Sequence, residues 1–306
     1  MHAWLSRAGL AARVAADHGE LWLPAALAWV AFLGWLPFVL AVGRAPDEGD
    51  LTVFGAAMAT SGDWPLNAVR LGAGLVFLAL VANALVALGE AGLLWLLQGT
   101  ADRSRSALLA AARRLWIVQL LGALPAVAAF VALSAAAAAA AIGELQSPDI
   151  GGSAWMRVAG RVAPYAIALL LAILAGQAFV AAAARRLTPD RAVPFGDAVV
   201  GALGDLGHRP ARRIGLAAAS FVLQAAYLLF CALLLRVLWA PIEEALVEGR
   251  ALTSGAPLLL VGFVAIWLCL VLAGGAVHAF VAAWWSLELG AGRTREPAAR
   301  EEAAAT

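Results

Sequence analysis

Four side chains set inside long apolar runs are the ones whose types could do chemistry: Asn83, Glu90, Gln177 and His278. A carboxylate, an imidazole and two carboxamides can hydrogen-bond one another, or a small polar solute or ion. A charge at the centre of a bilayer costs about 2.5–3.5 kcal/mol on insertion scales, so such residues face a bundle interior or a wet cavity. Gln177 and His278 head two similar stretches, QAFVAAAARR (Gln177–Arg186) and HAFVAAWWSL (His278–Leu287), which share AFVAA. Glu90 heads a weaker third copy, EAGLLW, and Asn83, seven residues earlier, lies on the same helix face. All three copies place the polar residue roughly 12–15 Å from the polar end of its run. If their helices pack about one axis, Glu90, Gln177 and His278 converge and Glu90 can pair with His278. Two outcomes follow. One is a site that binds or conducts a small polar solute or ion. The other is interhelical hydrogen bonding alone, worth about 0.6 kcal/mol per bond and at most ~2 kcal/mol.

Other chemistries find little purchase. The histidines are His2, His18, His208 and His278, and none stands at metal-ligand spacing. HExxH, CxxC, GxSxG and phosphate-loop patterns are missing. Asp205 and His208 lie three apart without further ligands, and Cys231 and Cys269 sit in apolar runs, where the expectation is small core residues. No catalytic residue, metal or cofactor is expected, and the chain reads as non-enzymatic.

The elements that must position these residues are membrane spans. Of 306 residues 63% are hydrophobic and 13% charged, with a mean hydropathy of +0.87; a soluble domain carries about a quarter charged. Six stretches reach the ~20 apolar residues a span needs: Leu21–Val42, Leu71–Leu97, Leu115–Ile142, Ala163–Ala184, Ile214–Ala240 and Leu258–Leu287. Gln119, Gln224 and Arg236 also interrupt these runs without ending them. All 21 basic residues are Arg, which points to a GC-rich coding sequence and a bacterium, and they are scattered in short loops rather than gathered for nucleic acid. Fifteen of them fall in the N-terminal segment, the second and fourth loops and the tail, whereas the opposite side collects Asp47, Glu48, Asp50, Asp63, Glu144, Asp149, Glu243, Glu244 and Glu248. The positive-inside rule then puts both termini in the cytoplasm, in a bacterial inner membrane. Most Trp residues fall near span ends, and Trp29, Trp35 and Trp267 lie deeper, where packing between helices is expected.

The fold class is all-α: a polytopic bundle of six transmembrane helices arranged as three parallel helical-hairpin repeats, at about 1–100, 101–190 and 191–290. Each repeat opens with a cytoplasmic amphipathic segment: Trp4–Trp22, Ser104–Trp116 and Val193–Gly215. Residues 1–292 form one transmembrane domain, and 293–306 form a disordered cytoplasmic tail.

The layout in PFGDAVVGALGDLGHRPARRIGLAAASFVLQ, Pro194 to Gln224, is a polar helical segment feeding a span and recurring along the chain. It resembles the six-span bacterial membrane proteins grouped near the membrane domain of glycerophosphodiester phosphodiesterases. The likeness is architectural and covers most of residues 5–290. It carries no functional residue over and implies no activity on glycerophosphodiesters. The expected role is structural: a scaffold or assembly protein. The alternative is a transporter or channel for a small solute, lipid or ion, with its site at Glu90, Gln177 and His278. The expected partners are the lipid bilayer, with anionic lipids at the cytoplasmic Arg residues, and a protein partner or second copy of the chain.

Overall fold

The computed structural model describes residues 2–43, 53, 57, 60, 62–63, 65–98, 104–146, 153–187, 193–247 and 255–293. Among these there is no strand. The helices are α1 (His2–Asp17), α2 (Trp22–Trp29), α3 (Leu36–Val42), α4 (Leu66–Gln98), α5 (Arg105–Gln146), α6 (Ala154–Ala184), α7 (Phe195–His208), α8 (Pro210–Val247) and α9 (Ala256–Arg293). Helices are the expected solution, since lipid offers backbone N–H and C=O groups no partner. Five of them, α4, α5, α6, α8 and α9, are long and apolar enough to cross a membrane, or six spans counting a bent pair. Five of the six expected spans lie inside these five helices. At about 1.5 Å per residue, the 42 residues of α5 far exceed a hydrocarbon layer of about 30 Å. The expected tail beyond Arg293 lies outside the described residues, as do several of the loop charges that set the orientation, among them Asp47, Glu48 and Asp50.

The first expected span is the bent pair. Gly19–Gly34 and Leu36–Val42 meet at 46°. Two local causes coincide at the break. Val30–Gly34 is a π-helical turn, and Pro37 has no N–H to give the Leu33 carbonyl. The Trp29 indole folds back over the turn, and a Cβ on Gly34 would come 2.7 Å from Trp29 Cδ1. Trp29 is 2% exposed, as its depth in the sequence suggested, but Trp35 is 47% exposed because the break turns it outward.

The segments ahead of the spans differ. α1 is separated from α2 by the 3₁₀ turn Gly19–Leu21, and α7 from α8 at Arg209. The middle segment, Ser104–Trp116, is no separate helix: α5 runs on from Arg105 without a break. Its Ala, Leu and Arg residues favour helix, and neither Gly nor Pro interrupts 104–121. His18-Gly19 and Arg209-Pro210 supply such interruptions at the other two.

The chain groups into two compact units, Met1–Arg113 with Leu223–Glu288, and Arg114–Val222 with Leu289–Thr306. In the first, α4 packs along α2 at Gly89, where a Cβ would come 2.7 Å from Ala28 N and Pro24 O. α9 approaches the same helix at Gly275, where a Cβ would come 2.5 Å from Trp22 O. These glycines let backbones meet, the usual device where lipid removes the hydrophobic drive between helices. Ala15, Leu21, Ala25, Leu93, Ala279 and Ala282 form the core there. A second cluster joins Ala41, Leu235, Ile242 and Phe263, with Phe38 lying 5.6 Å from Phe263 and 5.1 Å from Trp267. Arg236 donates to the Ala41 carbonyl at 3.1 Å and pairs with Glu243 at 2.8 Å. Cys231 is buried, but Cys269 is exposed and is not a core residue.

In the second unit α5 and α6 cross at Gly122 and Gly176, where a Cβ on Gly176 would overlap the Gly122 carbonyl. Glu144 pairs with Arg157 at 2.7 Å and with Arg161 at 3.5 Å. Large apolar side chains stay exposed at consecutive positions, such as Leu75, Val76, Phe77 and Leu78 on α4. Such a girdle is what lipid covers.

Gly275→Val should lower stability by about 1–3 kcal/mol, read as a lower unfolding midpoint in detergent. Gly262→Ala, with nothing within 4 Å of its Cβ, should leave the midpoint unchanged. Equal midpoints for both variants would refute the close approach.

Candidate intramembrane polar cluster

Glu90 follows Gly89 directly, and His278 stands one turn beyond Gly275. The two contacts that press α2 against α4 and α9 therefore also set the level of these side chains. His278 Nε2 lies 2.5 Å from Glu90 Oε1. The other ring nitrogen, Nδ1, lies 3.4 Å from Gln224 Nε2 on α8. With the Gln224 amide donating to Nδ1, the imidazole carries its proton on Nε2 and donates it to the carboxylate. Three helices, α4, α8 and α9, are thus joined by one imidazole. The His278 side chain is 14% exposed and that of Glu90 20%, so the pair is mostly, but not wholly, withdrawn from the surface.

The remaining expected residues make no hydrogen bond to this pair among the described residues. Asn83 is on α4, as expected, but makes no hydrogen bond to Glu90 or His278, and its Oδ1 is buried with no partner. Gly89 faces Pro24 and Ala28 while Gly92 faces Pro24 alone, so α4 runs antiparallel to α2. Two turns before Glu90, Asn83 falls level with the π-helical turn Val30–Gly34. Gln177 belongs to the second unit, on α6 beside the Gly122–Gly176 crossing. Among the described residues it makes no side-chain hydrogen bond.

Sequence reasoning missed Gln224 as a member of the cluster. The available signal was a carboxamide interrupting an apolar run, but it lies in the fifth run, outside the repeated AFVAA pattern. Glu288 was missed too. Its side chain is 1% exposed, and Arg7 of α1 reaches it at 3.0 Å. Beside that pair Trp4 and Trp284 pack at 4.7 Å, and Trp22 Nε1 donates to the Ala15 carbonyl at 2.7 Å. α1 is held down by all three contacts. Deeper in the unit, the Tyr227 hydroxyl donates to the Leu270 carbonyl at 2.7 Å.

Among the described residues no group of three or more His, Cys, Asp or Glu could hold a metal ion. No protein-family model, curated protein or solved structure matches this chain.

A double-mutant cycle with Glu90→Gln and His278→Ala should give a coupling energy of about 0.6–2 kcal/mol, measured by unfolding in detergent. Additive effects would show that the two side chains do not interact.

Proposed function

We propose that this chain is a multi-pass protein of the bacterial inner membrane with both termini cytoplasmic, and that its role is structural, as a scaffold or assembly element without catalysis. One observation carries this reading. Both ring nitrogens of His278 are engaged by side chains from two other helices. Two of the polar residues that could have served a solute, Glu90 and His278, instead join Gln224 in fastening α4, α8 and α9 together. Its partners are the lipid bilayer, with anionic headgroups at the Arg-rich flanks, and a second protein or second copy of the chain.

A hairpin repeat supports the parallel arrangement. On α4, Gly89 followed by Glu90 meets the backbone of the outgoing α2; on α6, Gly176 followed by Gln177 meets that of the outgoing α5. In the third hairpin the outgoing and returning helices are linked by the Gln224–His278 contact and by the Tyr227–Leu270 hydrogen bond. The helix ahead of a span, as at α7 and α8, supports the likeness to the membrane domain associated with glycerophosphodiester phosphodiesterases.

A transporter or channel for a small solute, lipid or ion is the second reading. The buried, unpartnered Asn83 Oδ1 favours it. It lies level with a π-turn in a bent span, and broken helices commonly form solute and ion sites in transporters.

Proteoliposomes separate the two readings. On the structural reading, the wild-type protein passes protons, alkali cations and small polar solutes no faster than empty vesicles, and Glu90→Gln only lowers the unfolding midpoint. Flux in the wild type that Glu90→Gln abolishes, with the fold intact, would overturn it. For topology, a green fluorescent protein fused at the C-terminus should fluoresce and an alkaline phosphatase fusion should be inactive. The reverse pattern places that terminus outside.

A further inference from the structure

Helix α7 shows two opposite faces. Ala198, Gly201, Ala202 and Asp205 recur at helical spacing on one of them. Ala198 and Ala202 are fully buried. Asp205 takes the Arg186 guanidinium at 2.8 Å, with a second hydrogen bond from Nε at 3.2 Å. Gly201 lies directly under that guanidinium, leaving no room for a Cβ. This face is therefore seated within its own unit.

The opposite face consists of Gly196, Val200, Leu203 and Gly207, again at helical spacing and all exposed. Val200 is 68% exposed and Leu203 56%. No charge lies on this stripe. Phe195, Val199 and Leu206 extend it along one edge, half-buried, and only the other edge carries exposed polar groups, Asp197 and His208. His208 turns its Nδ1 to the Gly204 carbonyl of its own helix at 2.7 Å. A helix that is apolar over most of its girth, with one narrow polar edge, suits neither water nor the hydrocarbon centre.

Its place in the chain bears on what covers the exposed stripe. α7 ends at His208, α8 starts at Pro210, and the apolar run of α8 begins at Ile214. At about 1.5 Å per residue, the end of α7 lies within roughly 10 Å of the hydrocarbon boundary. Between the two stand Arg209 and Arg212, both exposed. Guanidinium groups at that level match the phosphates of lipid headgroups. We propose that α7 is an interfacial helix. Its Gly196–Val200–Leu203–Gly207 face is sunk among the upper acyl chains of the bilayer, and Arg209 and Arg212 hold anionic lipid phosphate beside it.

The test uses full-length protein with Cys231→Ala and Cys269→Ala, carrying one reporter at a time. Val200→Cys, Leu203→Cys and Asp197→Cys are each labelled with an environment-sensitive dye, in nanodiscs of phosphatidylcholine and phosphatidylglycerol. Only variants that match the wild type in gel filtration are compared; both apolar reporters occupy exposed positions, so either alone suffices. Lipids spin-labelled high on the acyl chain should quench the dye at 200 and 203 several-fold more than at 197, and aqueous iodide should do the reverse. Equal iodide quenching at all three positions would overturn the proposal. So would shielding at 200 and 203 from both quenchers, which would mean that a protein partner or second copy covers the face. The headgroup arm compares Arg209→Gln/Arg212→Gln with the wild type by native mass spectrometry of protein released from the same nanodiscs. Fewer retained phosphatidylglycerol molecules are expected, with inorganic phosphate failing to displace lipid from the wild type. Unchanged retention would overturn the phosphate contact, and displacement by inorganic phosphate would overturn its assignment to lipid.

Discussion

A carboxyl group set within a membrane-spanning helix has to find its donor inside the protein, and Glu90 finds it on His278. Much of the first unit follows from making that contact possible. A 2.5 Å approach between side chains on α4 and α9 requires the helix backbones to come close. They do so because Gly89 and Gly275 place no Cβ against α2. The same glycines stand within one turn of the two polar residues, so steric permission and electrostatic need are met at one level. Gln224 then completes the imidazole from α8. A single ring, with one donor nitrogen and one acceptor nitrogen, fixes three helices that lipid alone would leave free to slide.

The second unit holds its helices by other means. Its crossing at Gly122 and Gly176 relies on backbone contact, and its ion pairs lie near helix ends, Glu144 with Arg157 and Arg186 with Asp205. The Glu144 side chain is 9% exposed, and two guanidinium groups, from Arg157 and Arg161, offset the cost of withdrawing it from water. Among the described residues the buried amide oxygens of Asn83 and Gln119 have no hydrogen-bond partner.

Long apolar runs were the easiest feature to read, because a span of about 20 residues has few alternatives. The five unbroken spans followed from them directly. The bend in the first span was harder, since Pro37 near the end of an apolar run reads as tolerable and nothing in VAFLG announces a π-turn. The Glu90–His278 pair was legible because both residues occur at one depth in echoing stretches. Gln224 was not, because its apolar run shares no echoed stretch that would flag its depth. Nor did the repeat foretell that Gln177 would make no hydrogen bond among the described residues: similarity of sequence fixes a residue's level on its helix, not the side chain across from it. The continuity of α5 through Ser104–Trp116 was legible in principle, from the lack of Gly and Pro, but the likeness to its neighbours pulled the other way.

The ion pair of Arg7 with Glu288 spans 281 positions of the chain, and this separation has a consequence for biogenesis. At about 5–20 residues per second, α1 leaves the ribosome tens of seconds before its partner carboxylate is made. Throughout that interval its arginine has no Glu288 to meet and its Trp4 no Trp284. The Ala41 carbonyl waits almost as long for Arg236, 195 positions away. Until α9 is made, the early helices have only one another, as at Gly89 against Pro24 and Ala28. The contacts that α1 makes with the end of α9 can therefore form only after nearly the whole chain has been made, whereas its Ala15–Trp22 hydrogen bond needs only the next helix.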